Sequence, residues 1–172
     1  MQQPNKTIPP IAAQIRRYRK RDFDALVGRW HETNVGSYSY VAEHQRHTLG
    51  DAMAFFRAYV VARCEIWVAH DSREPLGLIA LEVPWIRQLA VFREFQRRGV
   101  GTALLRKALE VSPSELRLFT FQRNVKARAF YETHGFDAVA FGCSPAPELE
   151  PDVEYRFYPT ATTPGGLHAR SR

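Results

Sequence analysis

The run from Ile86 to Leu105 constrains this chain more than any other. It opens as an apolar strand, Ile86 to Val91, and passes through the basic turn Gln96-Arg97-Arg98-Gly99-Val100-Gly101. It then enters an amphipathic helix near Val100. Gly99 and Gly101 carry no Cβ, so the backbone can take unusual φ values there and a ligand can come close. The amides that open the next helix have no acceptor within it, and the macrodipole adds partial positive charge. Strand, glycine turn and helix start together form a phosphate cradle, with Arg97 and Arg98 adding full charges at its mouth. Taken alone, the run also suits a plain surface connection. Two familiar phosphate loops fit poorly. A Walker A loop needs Gly-Lys-Ser/Thr, and a dinucleotide fold needs a third glycine and an acidic residue about 20 positions on.

At 172 residues, with 45% apolar and 24% charged side chains, the chain reads as one soluble globular domain with a sizeable core. Its formal net charge of +6 suits an anionic partner, either a phosphorylated cofactor or nucleic acid. Part of that charge lies in the run Arg16-Arg17-Tyr18-Arg19-Lys20-Arg21, which also reads as a solvated face. Cys64 and Cys143 are far apart and in no metal-ligand spacing, so a reduced, cytoplasmic protein without a metal site is expected. The N-terminus shows no apolar signal segment, and no run reaches the roughly 20 residues of a membrane span.

Residues 1–13 read as a flexible leader, 14–159 as the domain and 160–172 as a disordered tail. A short strand at Ile15 to Arg19 precedes a helix capped by Asp22, with Phe23, Leu26, Val27 and Trp30 on its apolar stripe. A polar, aromatic loop follows, and Thr48 with Asp51 forms a capping pair for a second helix through Val60. Strands are expected at Cys64 to His70, Leu76 to Val83 and Trp85 to Val91, then a helix from Val100 to Val111. Leu116 to Phe121, nearly all apolar, reads as a strand buried on both faces. A helix at 125–134 and strands at 138–142 and 153–158 complete the chain. The order β-α-α-β-β-β-α-β-α-β-β places it in the α/β (α+β) class, as a mixed sheet of about six or seven strands with helices on both faces.

A second segment, Asn124-Val-Lys-Ala-Arg-Ala-Phe-Tyr-Glu-Thr-His-Gly-Phe136, has its own logic. Asn124 suits an N-cap, and Gly135 the left-handed position beyond a helix end. Phe136 then falls where a Schellman turn makes its apolar contact, back onto Tyr131 or a neighbour. By itself this is a well-formed helix with an aromatic face. Yet Asn-x-x-Ala-x-x-Phe-Tyr-Glu-x-x-Gly-Phe, following Arg-Arg-Gly-Val-Gly and an intervening strand, closely resembles the paired signatures of the GNAT N-acetyltransferase superfamily. The two signatures cover residues 85–136, and the order of elements extends the resemblance to about residues 14–158.

The resemblance implies acetyl-CoA as cofactor and the amine of a small molecule or peptide as acceptor, with direct transfer in a ternary complex. It implies that Gln96, Arg97, Arg98, Gly99, Val100, Gly101 and Thr102 hold the pyrophosphate. Leu89, Ala90 and Val91 would line the pantetheine arm and offer an amide to the thioester carbonyl. Asn124, Ala127, Phe130 and Tyr131 would meet the cofactor from the next helix, with Tyr131 as general acid for the leaving thiolate. The base is the weak point. Several relatives place a glutamate where this chain has Trp85, Ile86 and Arg87, so Glu82 on the preceding strand is the fallback. His31, Tyr38, Tyr40, Trp85 and Gln88 are expected to shape the acceptor pocket, with Glu148, Glu150 and Asp152 as further carboxylates. Homodimers are common in the family, so one is an open expectation here. Two other readings remain: an acyl-CoA-binding sensor without activity, and a basic nucleic-acid-binding protein. The scattered basic residues speak against the second, and no membrane partner is expected.

Overall fold

The near-continuous apolar run at 76–81 needs cover on both sides of a strand, and the computed structural model, which describes residues 9–159, supplies it. Seven strands form one sheet in the order β1-β2-β3-β4-β5-β7-β6. They are β1 (Gln14–Arg17), β2 (Glu65–His70), β3 (Pro75–Glu82), β4 (Trp85–Val91), β5 (Leu116–Phe121), β6 (Asp137–Cys143) and β7 (Pro151–Phe157). Among the described residues five α-helices accompany them: α1 (Phe23–Ser37), α2 (Ala42–Arg46), α3 (Leu49–Phe55), α4 (Val100–Val111) and α5 (Val125–Thr133). A π-helical stretch, Phe56–Val61, extends α3.

Two cores lie on opposite faces. On one, Leu104, Leu105 and Ala108 of α4 and Tyr131 of α5 pack on Ala69, Ile79, Leu81 and Val153. On the other, Leu26, Val27 and Trp30 of α1 pack with Ala52, Phe56 and Val60 on Ile66, Val68, Leu78 and Ala80. Successive residues of β3 thus go to alternate cores, as the two-residue period of a strand demands.

Two irregularities position the site. Against β3, Leu81 pairs with Ile86 but Ala80 pairs with Gln88, leaving Arg87 as an extra residue in β4. This bulge reverses the alternation. Ile86 faces the α4 core, whereas Gln88 and Ala90 face α1, where Trp30 Nε1 donates to Gln88 Oε1 at 3.2 Å. Secondly, β4 and β5 are parallel and pair only at Trp85↔Arg117. Beyond that point they part, and the polar backbone edge of β4 that faces β5 has no strand partner.

The elements follow the sequence reading closely, with four differences. Strand β5, expected to be buried on both faces, is covered on one: Leu116, Leu118 and Thr120 are buried, whereas Phe119 on the other face is 54% exposed and lines the gap beside β4. Asp22 precedes α1 but does not cap it. Its carboxylate is taken by Arg16, at 2.7 and 2.9 Å, and by the Arg19 amide at 2.8 Å. The loop after α1 contains α2, five residues long and too short to show a helical period. The end of the expected leader is seated, since Ile11 N donates to Arg98 O at 3.0 Å and Arg98 Nε donates to Pro9 O at 3.1 Å. The tail from Thr160 lies outside the described residues. Thr48 and Asp51 cap α3 reciprocally, as their spacing predicts.

Candidate acyl-CoA site

The glycine turn departs from ordinary backbone at two residues. Gly99, the N-cap of α4, has φ 83°, and Arg97 has φ 61°. Such changes of handedness along a turn are the geometry in which successive amides converge on an anion. At Gly101 the limit is space, because a Cβ there would lie 3.3 Å from the Phe130 ring and 3.5 Å from Val91 Cγ2. Gln96 Nε2 donates to the Val91 carbonyl at 3.0 Å, tying the turn back to the end of β4.

The second segment folds as its residues suggest. Asn124 Oδ1 accepts from the Ala127 amide at 3.2 Å, capping α5. At the other end Gly135 has φ 82°, the Phe136 amide donates to Tyr131 O and the Gly135 amide to Glu132 O. This is the Schellman pattern, completed by the Tyr131 and Phe136 rings at 5.5 Å. The turn therefore locks Tyr131 against the sheet. Burial pushes its phenol well above the ordinary tyrosine range, and the nearby Tyr38 adds to the effect. Its hydroxyl makes no hydrogen bond among the described residues.

Between the parted strands lies a cavity of about 810 Å³. Of the residues expected to bind cofactor, Leu89, Ala90, Val91, Gln96, Arg97, Gly99, Gly101, Thr102, Asn124, Ala127, Phe130 and Tyr131 all line it. Two do not. Val100 is buried in the core, and the Arg98 side chain turns to the Pro9 carbonyl.

Of the expected acceptor residues, Tyr38, Tyr40 and Gln88 line the cavity, whereas His31 and Trp85 do not. A step of about 100° per residue on α1 separates His31 from its neighbours. Glu32, Thr33 and Gly36 reach the cavity, and His31 lies towards Asp51 on α3. Trp85 stacks on Phe119 instead. Tyr38 packs edge-on against Phe121 and His44, and burial raises its phenol, opposed by Asn124. Tyr40 is pushed up to about 12 by burial, and its hydroxyl is buried without a partner.

Glu82 is the clearest departure from the sequence reading. It stands outside the cavity, beside Tyr59 and Cys64 in a smaller hollow. Arg63 and Arg87 grip it at 2.8 and 2.7 Å and hold its carboxyl below the usual carboxylate range, which weakens it as a base. Glu148 pairs with His44 at 3.7 Å, and neither it, Glu150 nor Asp152 lines the cavity.

Sequence reasoning placed Arg97 at this space but missed the rest of its electrostatics. Arg87, Arg93, Arg97, Arg123 and Lys126 line it, and Glu32 is the acidic residue among its lining. Arg93, Arg97, Arg123 and Lys126 have no ion-pair partner among the described residues, so the cavity holds uncompensated positive charge suited to a polyanion. The signal was present in the basic residues flanking Asn124, but it was unreadable without knowing that the loop after β5 faces the glycine turn.

The sheet is thus parted at two parallel strands, with a glycine-opened helix at one side and a tyrosine-bearing helix at the other. The family model described as Acetyltransferase (GNAT) family matches residues 12–136, and the chain belongs to that family. It is 39% identical over 79 residues to the uncharacterised N-acetyltransferase YafP of Escherichia coli (strain K12), across 46% of this chain and 50% of that one. It is 33% identical over 107 residues to the probable N-acetyltransferase Rv2775 of Mycobacterium tuberculosis (strain ATCC 25618 / H37Rv), across 56% of this chain and 62% of the relative. The matches thus span about half to three-fifths of these relatives. Its fold is similar to the solution structure of apo-form YjaB from Escherichia coli, with TM-score 0.73 and 23% identity, covering 86% of this chain and 98% of that one.

Proposed function

We propose that this chain moves an acetyl group from acetyl-CoA directly to a primary amine of a small molecule or peptide, with donor and acceptor bound together. The observation that carries this reading is the one cavity that runs from the α4 turn, along the parted strands, to Tyr131. Its residues fit the donor. The first-turn amides of α4 and the four unpaired cations suit the pyrophosphate and 3′-phosphate, and the space left at Gly101 allows close approach. The unpaired edge of β4 along Leu89, Ala90 and Val91 suits the amides of the pantetheine arm.

Acetyl-CoA, when bound, supplies the activated thioester carbonyl. Amides on the free edge of β4 can donate to that oxygen as it gains charge. Tyr131 holds a proton at Oη for the departing thiolate, and its burial keeps that proton on at neutral pH. We assign Glu32, the carboxylate in the cavity wall, to receive the proton of the incoming amine. Neither cysteine lines the cavity, and burial raises the Cys64 thiol, which favours direct transfer over an acyl-enzyme. We place the activity in the cytoplasm, where both free cysteines stay reduced.

The exposure of Glu32 favours a second reading, an acyl-CoA-binding module without turnover. Calorimetric titration with acetyl-CoA tests the first step. Micromolar binding, weakened at least about tenfold by Gly101→Leu, supports the donor; no binding at millimolar ligand removes it. Thiol release with a panel of amines then separates the two readings. On the active reading, Tyr131→Phe lowers turnover by about a hundredfold while acetyl-CoA affinity holds. Tight binding without release on any amine favours the silent module.

A further inference from the structure

One contact in the cradle has no part in the transfer chemistry. Thr102, in the first turn of α4, lines the cavity, and its Oγ1 lies 3.0 Å from Nε2 of His134 at the end of α5. The other ring nitrogen of His134, Nδ1, lies 2.7 Å from the Phe130 carbonyl. A carbonyl can only accept, so Nδ1 carries a hydrogen. In a neutral imidazole Nε2 is then bare, and the Thr102 hydroxyl must donate its hydrogen to it. Thr102 would turn lone pairs toward the cavity, the wrong face for a phosphate oxygen that can itself only accept.

We propose that His134 is a positioning residue for the Thr102 hydroxyl, and that the pair makes binding of the donor's pyrophosphate take up a proton. The proposal rests on the acetyl-CoA reading of the cavity. With His134 protonated, every polar atom has a complementary partner. Nδ1–H donates to Phe130 O, Nε2–H donates to Thr102 Oγ1, and the hydroxyl hydrogen is released to donate to the pyrophosphate. A cation, a hydroxyl and an anion then form one directed chain of donors across the gap between α5 and α4.

No carboxylate competes for this role. On its own helix, Glu132 accepts from Tyr155 and pairs with Arg128, and Asp137 just beyond is exposed. From the turn before α4, Arg98 is tied to Pro9, and on α4 Arg106 is exposed. From β7, Arg156 is bound to Glu154. None of these forms a hydrogen bond or ion pair with the imidazole. Phe130, with its ring 4.3 Å from that of His134, fills the remaining side.

The test uses acetyl-dephospho-CoA, which keeps the pyrophosphate but lacks the 3′-phosphate, a monoester that titrates near pH 6 by itself. Its affinity is measured calorimetrically from pH 5.5 to 8.5, in buffers of different protonation heat. The wild-type protein should bind more weakly as pH rises, by up to about tenfold per unit, with proton uptake approaching one. His134→Gln should abolish both effects, because the amide nitrogen can donate to Thr102 at any pH. Thr102→Val should abolish them too, and Thr102→Ser should restore them. S-acetylpantetheine, which has no pyrophosphate, should be indifferent to all three substitutions. Acetyl-dephospho-CoA binding that does not vary with pH, or a pH dependence that survives in His134→Gln, overturns this proposal alone. Failure of acetyl-CoA itself to bind at any pH overturns the donor reading and this proposal with it.

Discussion

Trp85 and Phe119 lie face to face, ring centroids 5.3 Å apart and planes 8° from parallel, where β4 and β5 part company. Trp85 sits opposite Arg117, and Phe119 follows two residues later on the same face of β5. The guanidinium groups of Arg87 and Arg117, 5.3 and 5.6 Å from the indole, complete the stack. The tryptophan therefore clamps the joint from which the gap opens and stands outside the cavity.

Replacing it should be felt in the sheet first. Trp85→Leu is expected to cost about 1 kcal/mol in urea unfolding, the worth of an aromatic pair. Acetyl-CoA affinity should stay within about twofold. A tenfold loss of affinity at unchanged stability would mean that the indole reaches the ligand.

Two glycines should fail for different reasons. A Cβ on Gly77 would lie 2.5 Å from the Ala90 carbonyl oxygen and 3.1 Å from Val91 Cα, backbone atoms of the strand that walls the cavity. Gly77→Ala should therefore cost about 2–3 kcal/mol and weaken acetyl-CoA binding, because β4 must move. Gly99 has open space around it but φ 83°, so Gly99→Ala should cost about 1 kcal/mol. Asparagine tolerates that conformation, so Gly99→Asn should recover much of the loss and Gly77→Asn none. Equal rescue at both positions in thermal melts would refute the distinction.

Legibility in the sequence follows from where its signals are local. The turn at Gln96 to Gly101 and the helix from Asn124 to Phe136 each carry their own start and stop, so their residues can be placed from their neighbours along the chain. The bulge at Arg87 is different. It depends on how Ala80 and Leu81 pair with another strand, and that register reverses which face Gln88 presents. The same non-locality hid Glu32, Arg93, Arg123 and Lys126, since a helix stripe or a charged loop reads as solvated until its neighbour is known. Trp85 and His31 were expected in the pocket from the family resemblance, which points to a segment and not to the direction of each side chain. One position along a strand or helix is enough to take a side chain elsewhere.

Glu82 offers a direct check on the site's chemistry. A carboxylate shared by Arg63 and Arg87 gives up its proton too readily to serve as base near neutral pH. Glu82→Gln should leave turnover within about twofold and the acid side of the pH–rate profile in place. Loss of that acid limb, or a fall in turnover of about a hundredfold, would restore Glu82 as the base by way of an opened hollow.

The acid stability of the fold should be traceable to Asp22 and Arg16. Arg16 binds both carboxylate oxygens, and this ion pair, more than the Arg19 amide, holds the Asp22 carboxyl below its ordinary value. A carboxyl whose folded value is depressed contributes stability that is fully present above its unfolded value, near 3.9, and is lost as pH falls through the folded one. Asp22→Asn should therefore cost about 1–2 kcal/mol at pH 7, the scale of a charge-assisted hydrogen bond. The gap measured at pH 7 should close in acid, once the pH falls below the depressed folded value and the wild-type carboxyl is itself protonated. Urea unfolding of both proteins at pH 7 and in acid measures this directly. A gap that persists in acid would assign the contribution of Asp22 to its shape at the start of α1 instead of its charge.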